Sequence, residues 1–168
     1  MKKLFLLSIM CLMALSMIVL PACTREEGEV SGNYIDLGLT SGTKWKAVNE
    51  KNTADAELDL YTYDEAIAAF GNKLPSYDQW MELVNECSWT WTGMGYKVVG
   101  SNGKSIVLPA SGWRYCDGRV SDVGSFGTYW SSTPEDSDIA WDLIFNSGEV
   151  YVGYTIRCGG LSVRLVQD

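Results

Sequence analysis

The order in which helix and strand signals occur constrains the fold of this chain more than any other feature. Thr62-Tyr63-Asp64-Glu65 and Ser76-Tyr77-Asp78-Gln79 each place a hydroxyl three residues before an acid or amide. In such a capping box the hydroxyl accepts the amide proton of the fourth residue, whose side chain reaches back to the first. The first box predicts a helix through Ala66-Ile67-Ala68-Ala69-Phe70 that stops at Gly71. The second predicts a helix in which Trp80, Leu83, Val84 and Cys87 form one apolar stripe at i, i+3, i+4 and i+7, with Trp80 and Cys87 in the core. Tyr34–Leu37 and Thr43–Val48, around a Ser41-Gly42 turn, read as short strands ahead of them, and residues 49–60 are ambiguous.

Everything after Glu86 reads as strand and turn. Tyr96–Val99 and Ser105–Leu108 flank Ser101-Asn102-Gly103-Lys104, an Asn-Gly hairpin signal. A glycine-rich loop spans Ala110–Gly127, followed by strands at Tyr129–Thr133, Ala140–Phe145 and Val150–Tyr154, the last two joined by Asn146-Ser147-Gly148-Glu149. Leu161–Val166 closes the chain. Helices early and antiparallel strands late place the chain in the α+β class. Alternation then assigns faces. Trp141, Leu143 and Phe145 share an inward face and leave Asp142 and Ile144 outward. Val150 and Val152 leave Tyr151 outward, and Leu161, Val163 and Leu165 leave Ser162 and Arg164 opposite the core.

At the start of the chain, Lys2 and Lys3 precede an apolar run from Leu4 to Leu20, the pattern of a secretory signal. Leu20-Pro21-Ala22-Cys23 resembles a bacterial lipobox, although Pro21 is unusual in one. The resemblance implies removal of residues 1–22 and lipidation of Cys23. A transmembrane anchor is the alternative, but basic residues flank only one end of the run. Residues 24–32 are polar and small and read as a tether, leaving residues 33–168 as the domain. The acidic residues directly after Cys23 resemble the surface-export signal of Bacteroidetes-type lipoproteins; a solvated linker explains them equally well. The expected location is the outer membrane, through the lipid anchor, at the cell surface if that signal operates.

Removing residues 1–22 takes two lysines and leaves 11 basic and 21 acidic residues, a formal charge of −10. Such a chain repels phosphate backbones, so nucleic acid is excluded as an expected ligand. The chain has no histidine, which rules out a Cys-His nucleophile, and without a CxxC pair a zinc site is not expected. In an exported protein Cys87, Cys116 and Cys158 allow one disulfide and one free thiol, with the pairing open. No cofactor is expected.

Six segments in order resemble the Fibrobacter succinogenes major paralogous domain family, many of whose members are exported lipoproteins. They are Tyr34–Trp45, Leu74–Leu83, Cys87–Trp91, Ile106–Arg114, Gly127–Thr133 and Leu161–Arg164, together spanning roughly 34–166. The chain departs from the family pattern between Val48 and Tyr61. The resemblance implies a C-type-lectin-like fold: two helices packed on small antiparallel sheets, with a long loop region presenting the ligand surface. Fold does not fix function, so three activities are weighed.

Calcium-dependent sugar binding would draw on Glu135, Asp136 and Asp138, but Thr133-Pro134-Glu135-Asp136 lacks the amide and Trp141-Asp142 lacks the middle residue of the lectin pattern. An acidic, solvated turn is the alternative, and no metal site is expected. Formylglycine-generating chemistry needs neighbouring reactive cysteines, and Cys116 and Cys158 are distant in sequence. Metal-free recognition of a protein or glycan is the favoured reading. Similar domains act as variable binding proteins in diversity-generating retroelement systems, with the substituted stretch corresponding here to Glu135–Gly160. The expected contact residues are Asp142, Ile144 and Tyr151, with Tyr154, Thr155 and Ile156 in the following loop. Trp113, Tyr115 and Asp117 extend the surface, against the alternative that Trp113 and Tyr154 are core.

The expectation is a lipid-anchored envelope binding or adhesion protein without catalysis. The enzyme alternative is carbohydrate hydrolysis by a carboxylate pair roughly 5–9 Å apart, for which no spacing singles out two of Asp117, Asp122, Glu135, Asp142 and Glu149. A structural subunit of a surface assembly would instead show an apolar, exposed edge strand.

Overall fold

Both capping boxes form. In the computed structural model, which describes residues 33–53 and 59–168, helix α1 (Tyr63–Phe70) starts on Thr62 and ends at Gly71, whose φ is 53°. Helix α2 (Tyr77–Glu86) starts on Ser76, whose hydroxyl accepts from the Gln79 amide while Gln79 reciprocates. The expected signal segment, lipidated Cys23 and tether at 24–32 lie outside the described residues. No helix among the described residues is long and apolar enough to cross a membrane.

The strands form small antiparallel sheets. Strands β1 (Tyr34–Asp36) and β2 (Lys44–Lys46) join β11 (Val166–Gln167), so the two ends of the domain share one sheet. A second sheet holds β3 (Ser88–Trp91), β4 (Gly95–Val99) and β5 (Ser105–Pro109). Between β4 and β5 only Gly103 has positive φ (80°). Asn102 instead accepts the Lys104 amide through its side chain. The turn is therefore a longer loop closed by a left-handed glycine, not the two-residue turn with both central residues at positive φ. The glycine-rich segment contains a short hairpin, β6 (Trp113–Arg114) and β7 (Val120–Ser121). The third three-stranded sheet has the order β10-β9-β8, from β8 (Phe126–Pro134), β9 (Ile139–Asn146) and β10 (Val150–Ile156).

Helix α2 packs its Trp80 against Trp45 and Tyr129, with ring centroids 4.6 and 6.0 Å apart. This stripe, Leu143, Phe145 and the inner faces of β4 and β5 make one core. A second core gathers Tyr63 and Ala66 of α1 around Trp130, Leu161, Val163 and Leu165. Gly127 lies where the first core approaches β8: a Cβ there would sit 2.1 Å from the Phe145 ring, so only glycine fits. Trp80 is fully buried, as its position in the stripe implies, whereas Cys87 is half-buried at the end of α2. Burial, then the nearby Glu86 and Glu82 carboxylates, push its thiol up to about 11, so it stays protonated at neutral pH.

The closing segment departs from its alternation. Leu161 exchanges backbone bonds with Tyr61 on one edge, and Ser162 bonds Thr128 and Trp130 of β8 on the other. Flanked on both edges and covered on both faces, Ser162 and Arg164 are buried at 2 % and 1 % exposure, not outward. Arg164 spreads its guanidinium over Asn49 Oδ1 (2.9 Å) and the carbonyls of Lys46 (2.7 Å) and Val107 (2.6 Å). It thereby ties the first sheet and the segment after β2 to β5.

Candidate functional site

The expected contact residues separate into three groups. Asp142 and Ile144 are buried, at 0 % and 9 % exposure, which overturns their outward assignment. Alternation marks their face correctly, but that face is not solvated along its length. The Thr128 hydroxyl donates to the Gly112 carbonyl, and Thr155 lies against Gly159, itself beside the Arg114 carbonyl. The β6–β7 hairpin and the 157–160 segment therefore lie over this face of the sheet. In the register Asp142 sits between Trp130 and Gly153.

Thr155 belongs to β10 and not to a loop, and its hydroxyl donates to Asp142 Oδ2 at 2.9 Å. Asp142 Oδ1 is buried without a partner among the described residues. Burial pushes the Asp142 carboxyl from its ordinary 3.8 up to about 7, opposed only by the Thr155 bond. The unfolded chain then loses this proton near pH 4 while the folded protein holds it to about pH 7. The stability Asp142 contributes is full below pH 4 and declines as pH rises through that window. Asp142→Asn is expected to flatten this decline and to raise stability at pH 8 by at least about 1 kcal/mol, because each unit of upward shift corresponds to about 1.4 kcal/mol. Urea titrations of both proteins from pH 4 to 8 check it; parallel curves would remove Asp142 as the cause.

The second group is exposed on β10. Tyr151, Tyr154 and Ile156 are 44 %, 58 % and 48 % exposed. Tyr154 and Ile156 continue the strand instead of forming the expected loop, and they lie on the face opposite Tyr151. Trp141, expected in the core, is half-buried between Tyr77 and Tyr154, with centroids 4.7 and 5.7 Å away.

In the third group two half-buried rings meet exposed charged side chains. Trp113 and Tyr115 meet at 3.9 Å between ring centroids, and the Arg119 guanidinium lies 4.8 Å over the Tyr115 ring. Asp117 fixes Arg119 through its Nε (2.8 Å) and its amide (3.0 Å), and the first of these bonds is the main cause holding the Asp117 carboxyl below its ordinary range. Trp113 Nε1 donates to Asp122, which also accepts from Ser121. Trp113 is half-buried, between the core and surface alternatives. Val120, opposite Arg114 on the other face of the hairpin, and Val123 are also exposed. The hairpin is secured by the Cys116–Cys158 disulfide, whose pairing the sequence left open. Arg119 was not singled out from the sequence. The signal was Asp117-Gly118, a tight-turn dipeptide that places Tyr115 opposite Arg119, whose carbonyl accepts the Tyr115 amide.

A cleft of about 540 Å³ lies on the other side of the disulfide, lined by Thr62, Asp64, Asp138, Ile156, Arg157 and Cys158, with Ser137. Arg157 pairs with Asp64 and lies 4.6 Å over the Tyr63 ring. Of the calcium candidates, Asp138 lines this cleft. Asp136 accepts from the amides of Asp138 and Ile139, and those bonds hold its carboxyl below the ordinary range. Arg157 donates to the Ser137 carbonyl at 3.2 Å, putting a positive charge where a cation would need ligands. Among the described residues no three His, Cys, Asp or Glu side chains converge on a metal position.

Residues 89–166 match a family described as a domain of unknown function, DUF8237. The match runs from β3 to the start of β11 and includes the hairpin, the disulfide and Asp142. No curated protein matches the chain, and no solved structure does.

Proposed function

We propose that this protein is a lipid-anchored cell-envelope binding protein that recognises a protein or glycan without catalysis, through a C-type-lectin-like domain of the Fibrobacter succinogenes major paralogous type. The Trp113–Tyr115–Arg119 stack is the observation that carries the reading. Aromatic rings offer apolar faces to sugar rings or to apolar side chains, and a guanidinium adds directional donors. Here both sit on an exposed hairpin whose shape is fixed by a disulfide and by Asp117 and Asp122, so little freedom is lost on binding. Asp122, which accepts from Trp113 and Ser121, is exposed, and Asp142 is fully buried against Thr155. Neither forms the facing pair that glycoside hydrolysis uses. Lipid on Cys23 would hold the domain at the outer membrane, with residues 24–32 as its reach.

The test is binding of the protein to a glycan array and to envelope extracts, each with calcium and with chelator. Binding is expected to survive chelation and to weaken about tenfold in Tyr115→Ala, the size of a modest hot spot. Calcium-dependent binding, or binding indifferent to Tyr115, would sink the assignment.

A further inference from the structure

The cleft of about 540 Å³ beside the start of α1 shares no residue with the Trp113–Tyr115–Arg119 stack, and its volume is that of a small-ligand site. Its wall carries both signs of charge. The Arg157 guanidinium is held in place: Asp64 pairs with it, the Ser137 carbonyl accepts from it at 3.2 Å, and the Tyr63 ring lies 4.6 Å away. Asp138 is exposed in the same wall, and its carboxylate accepts no hydrogen bond among the described residues. Thr62 and Ser137 add hydroxyls, and Ile156 adds apolar surface. That apolar surface continues along β10. Tyr154 shares the face of Ile156, about 7 Å along the strand. Helix α2 covers this face at Leu143 and Phe145 and leaves Tyr154 and Ile156 open to solvent. The Tyr154 ring is braced from beneath, because it stands opposite Trp141 in the register and Trp141 rests in turn on Tyr77.

We propose that this cleft, with Tyr154 at its end, is a second binding site and that its ligand is a neutral oligosaccharide. Charge selects the class. The Asp64 and Asp138 carboxylates oppose an anion, whether phosphate, sulfate or uronate, and the Arg157 guanidinium opposes a cation. A neutral polyol donates its hydroxyl protons to the carboxylates and lays the apolar C–H face of a ring on Tyr154 and Ile156. Size argues against a protein partner. A stable protein interface covers about 800 Å² on each side. On this face of β10 the large apolar side chains exposed among the described residues are Tyr154 and Ile156 alone. The wall is also set before a ligand arrives. The Arg157 amide donates to the Asp138 carbonyl at 2.8 Å, its guanidinium ties in α1, and Cys158 is fixed by its disulfide, so little freedom is lost on binding. The site stands whether or not the stack binds a ligand.

An array of neutral glucans, mannans, galactans and xylans beside uronate-rich, sulfated and amino-sugar chains tests it, read with the full chain. Titration calorimetry then follows on the neutral oligosaccharide bound most strongly. Neutral chains are expected to bind in the presence of chelator, with a Kd that hardly moves with salt. Tyr154→Ala and Asp138→Ala are each expected to raise that Kd about tenfold, one by removing the ring face and the other a charged acceptor. Tyr115→Ala is expected to leave it unchanged. Both cleft side chains are exposed, so circular dichroism should match the wild type; if Tyr154→Ala unfolds, Asp138→Ala decides. Binding of charged chains alone, binding of no neutral chain, or a Kd indifferent to both cleft substitutions overturns the proposal. Neutral chains lost in Tyr115→Ala and kept in both cleft variants overturn it too, and assign the sugar to the hairpin stack. Loss in Tyr115→Ala reads the stack and loss in Tyr154→Ala reads the cleft, so each proposal fails without the other.

Discussion

Replacing Arg164 with methionine is expected to lower the unfolding free energy by roughly 4 kcal/mol. Methionine fills similar space without donors, so it deletes three bonds from a buried cation, to Asn49, Lys46 and Val107. Hydrogen bonds from a charged group contribute about 1.5–3 kcal/mol each, less where the freed acceptor reaches water. Burial already lowers the Arg164 pKa from its usual value, and Tyr129, with its hydroxyl pushed up to about 12 by its own burial, stays neutral beside it. The guanidinium is thus held by neutral oxygens, and its fork geometry is what satisfies them. Arg164→Lys is expected to recover less than half of the loss, because one ammonium cannot span three acceptors on different segments. Urea denaturation of the three proteins measures this. A loss under about 1 kcal/mol in the methionine variant would show that the surrounding segments close without the cation.

Removal of the Cys116–Cys158 bridge, as the Cys116→Ser/Cys158→Ser double variant, is expected to cost about 4 kcal/mol. The bridge closes a sequence separation of 42 residues, and restricting a loop of that size in the unfolded chain corresponds to about 4 kcal/mol in the chain-entropy account. Both cysteines are exposed, so serine at either place leaves no buried polar group and the loss reports the covalent link. Cys87 is the free thiol among the described residues, and its raised pKa keeps it from competing for the pairing at neutral pH. Denaturation with and without reductant provides the measurement. The wild type under reductant should match the double variant; if reduction changes nothing, the bridge does not constrain the unfolded chain. The released hairpin should also expose the Asp142 face, with faster amide exchange at Thr128 and Gly160, which bond the hairpin or lie beside it.

Chelation and pH separate the remaining possibilities. Calcium bears on the Asp136–Asp138 turn and pH between 4 and 7 on Asp142. None of these touches the Trp113–Tyr115–Arg119 stack.

By itself the sequence determined what short stretches encode. Thr62 with Glu65, and Ser76 with Gln79, carry both helix starts, because capping needs only residues three apart. The turn at Asn146–Glu149 and the β4–β5 hairpin are local in the same sense, and the sorting of helices before strands follows from them. The stripe on α2 placed Trp80 in the core. Only the tertiary structure decided what covers the second face of a strand. Alternation separates Asp142 and Ile144 from Leu143 and Phe145, but it equates the second face with solvent, which holds only for sheets exposed on one side. Here Gly112, at the foot of the hairpin, and Gly159 lie against Thr128 and Thr155 of that face, and Asp142 and Ile144 are closed to solvent. Arg164 is buried for the same reason: its partners at 46, 49 and 107 are distant in sequence, and no local pattern brings three acceptors to one cation. The stack itself was half legible. Trp113, Tyr115 and Asp117 are visible as surface chemistry in a glycine-rich loop, whereas Arg119 joins them only because the Asp117-Gly118 turn folds the strand back and sets its guanidinium over the ring.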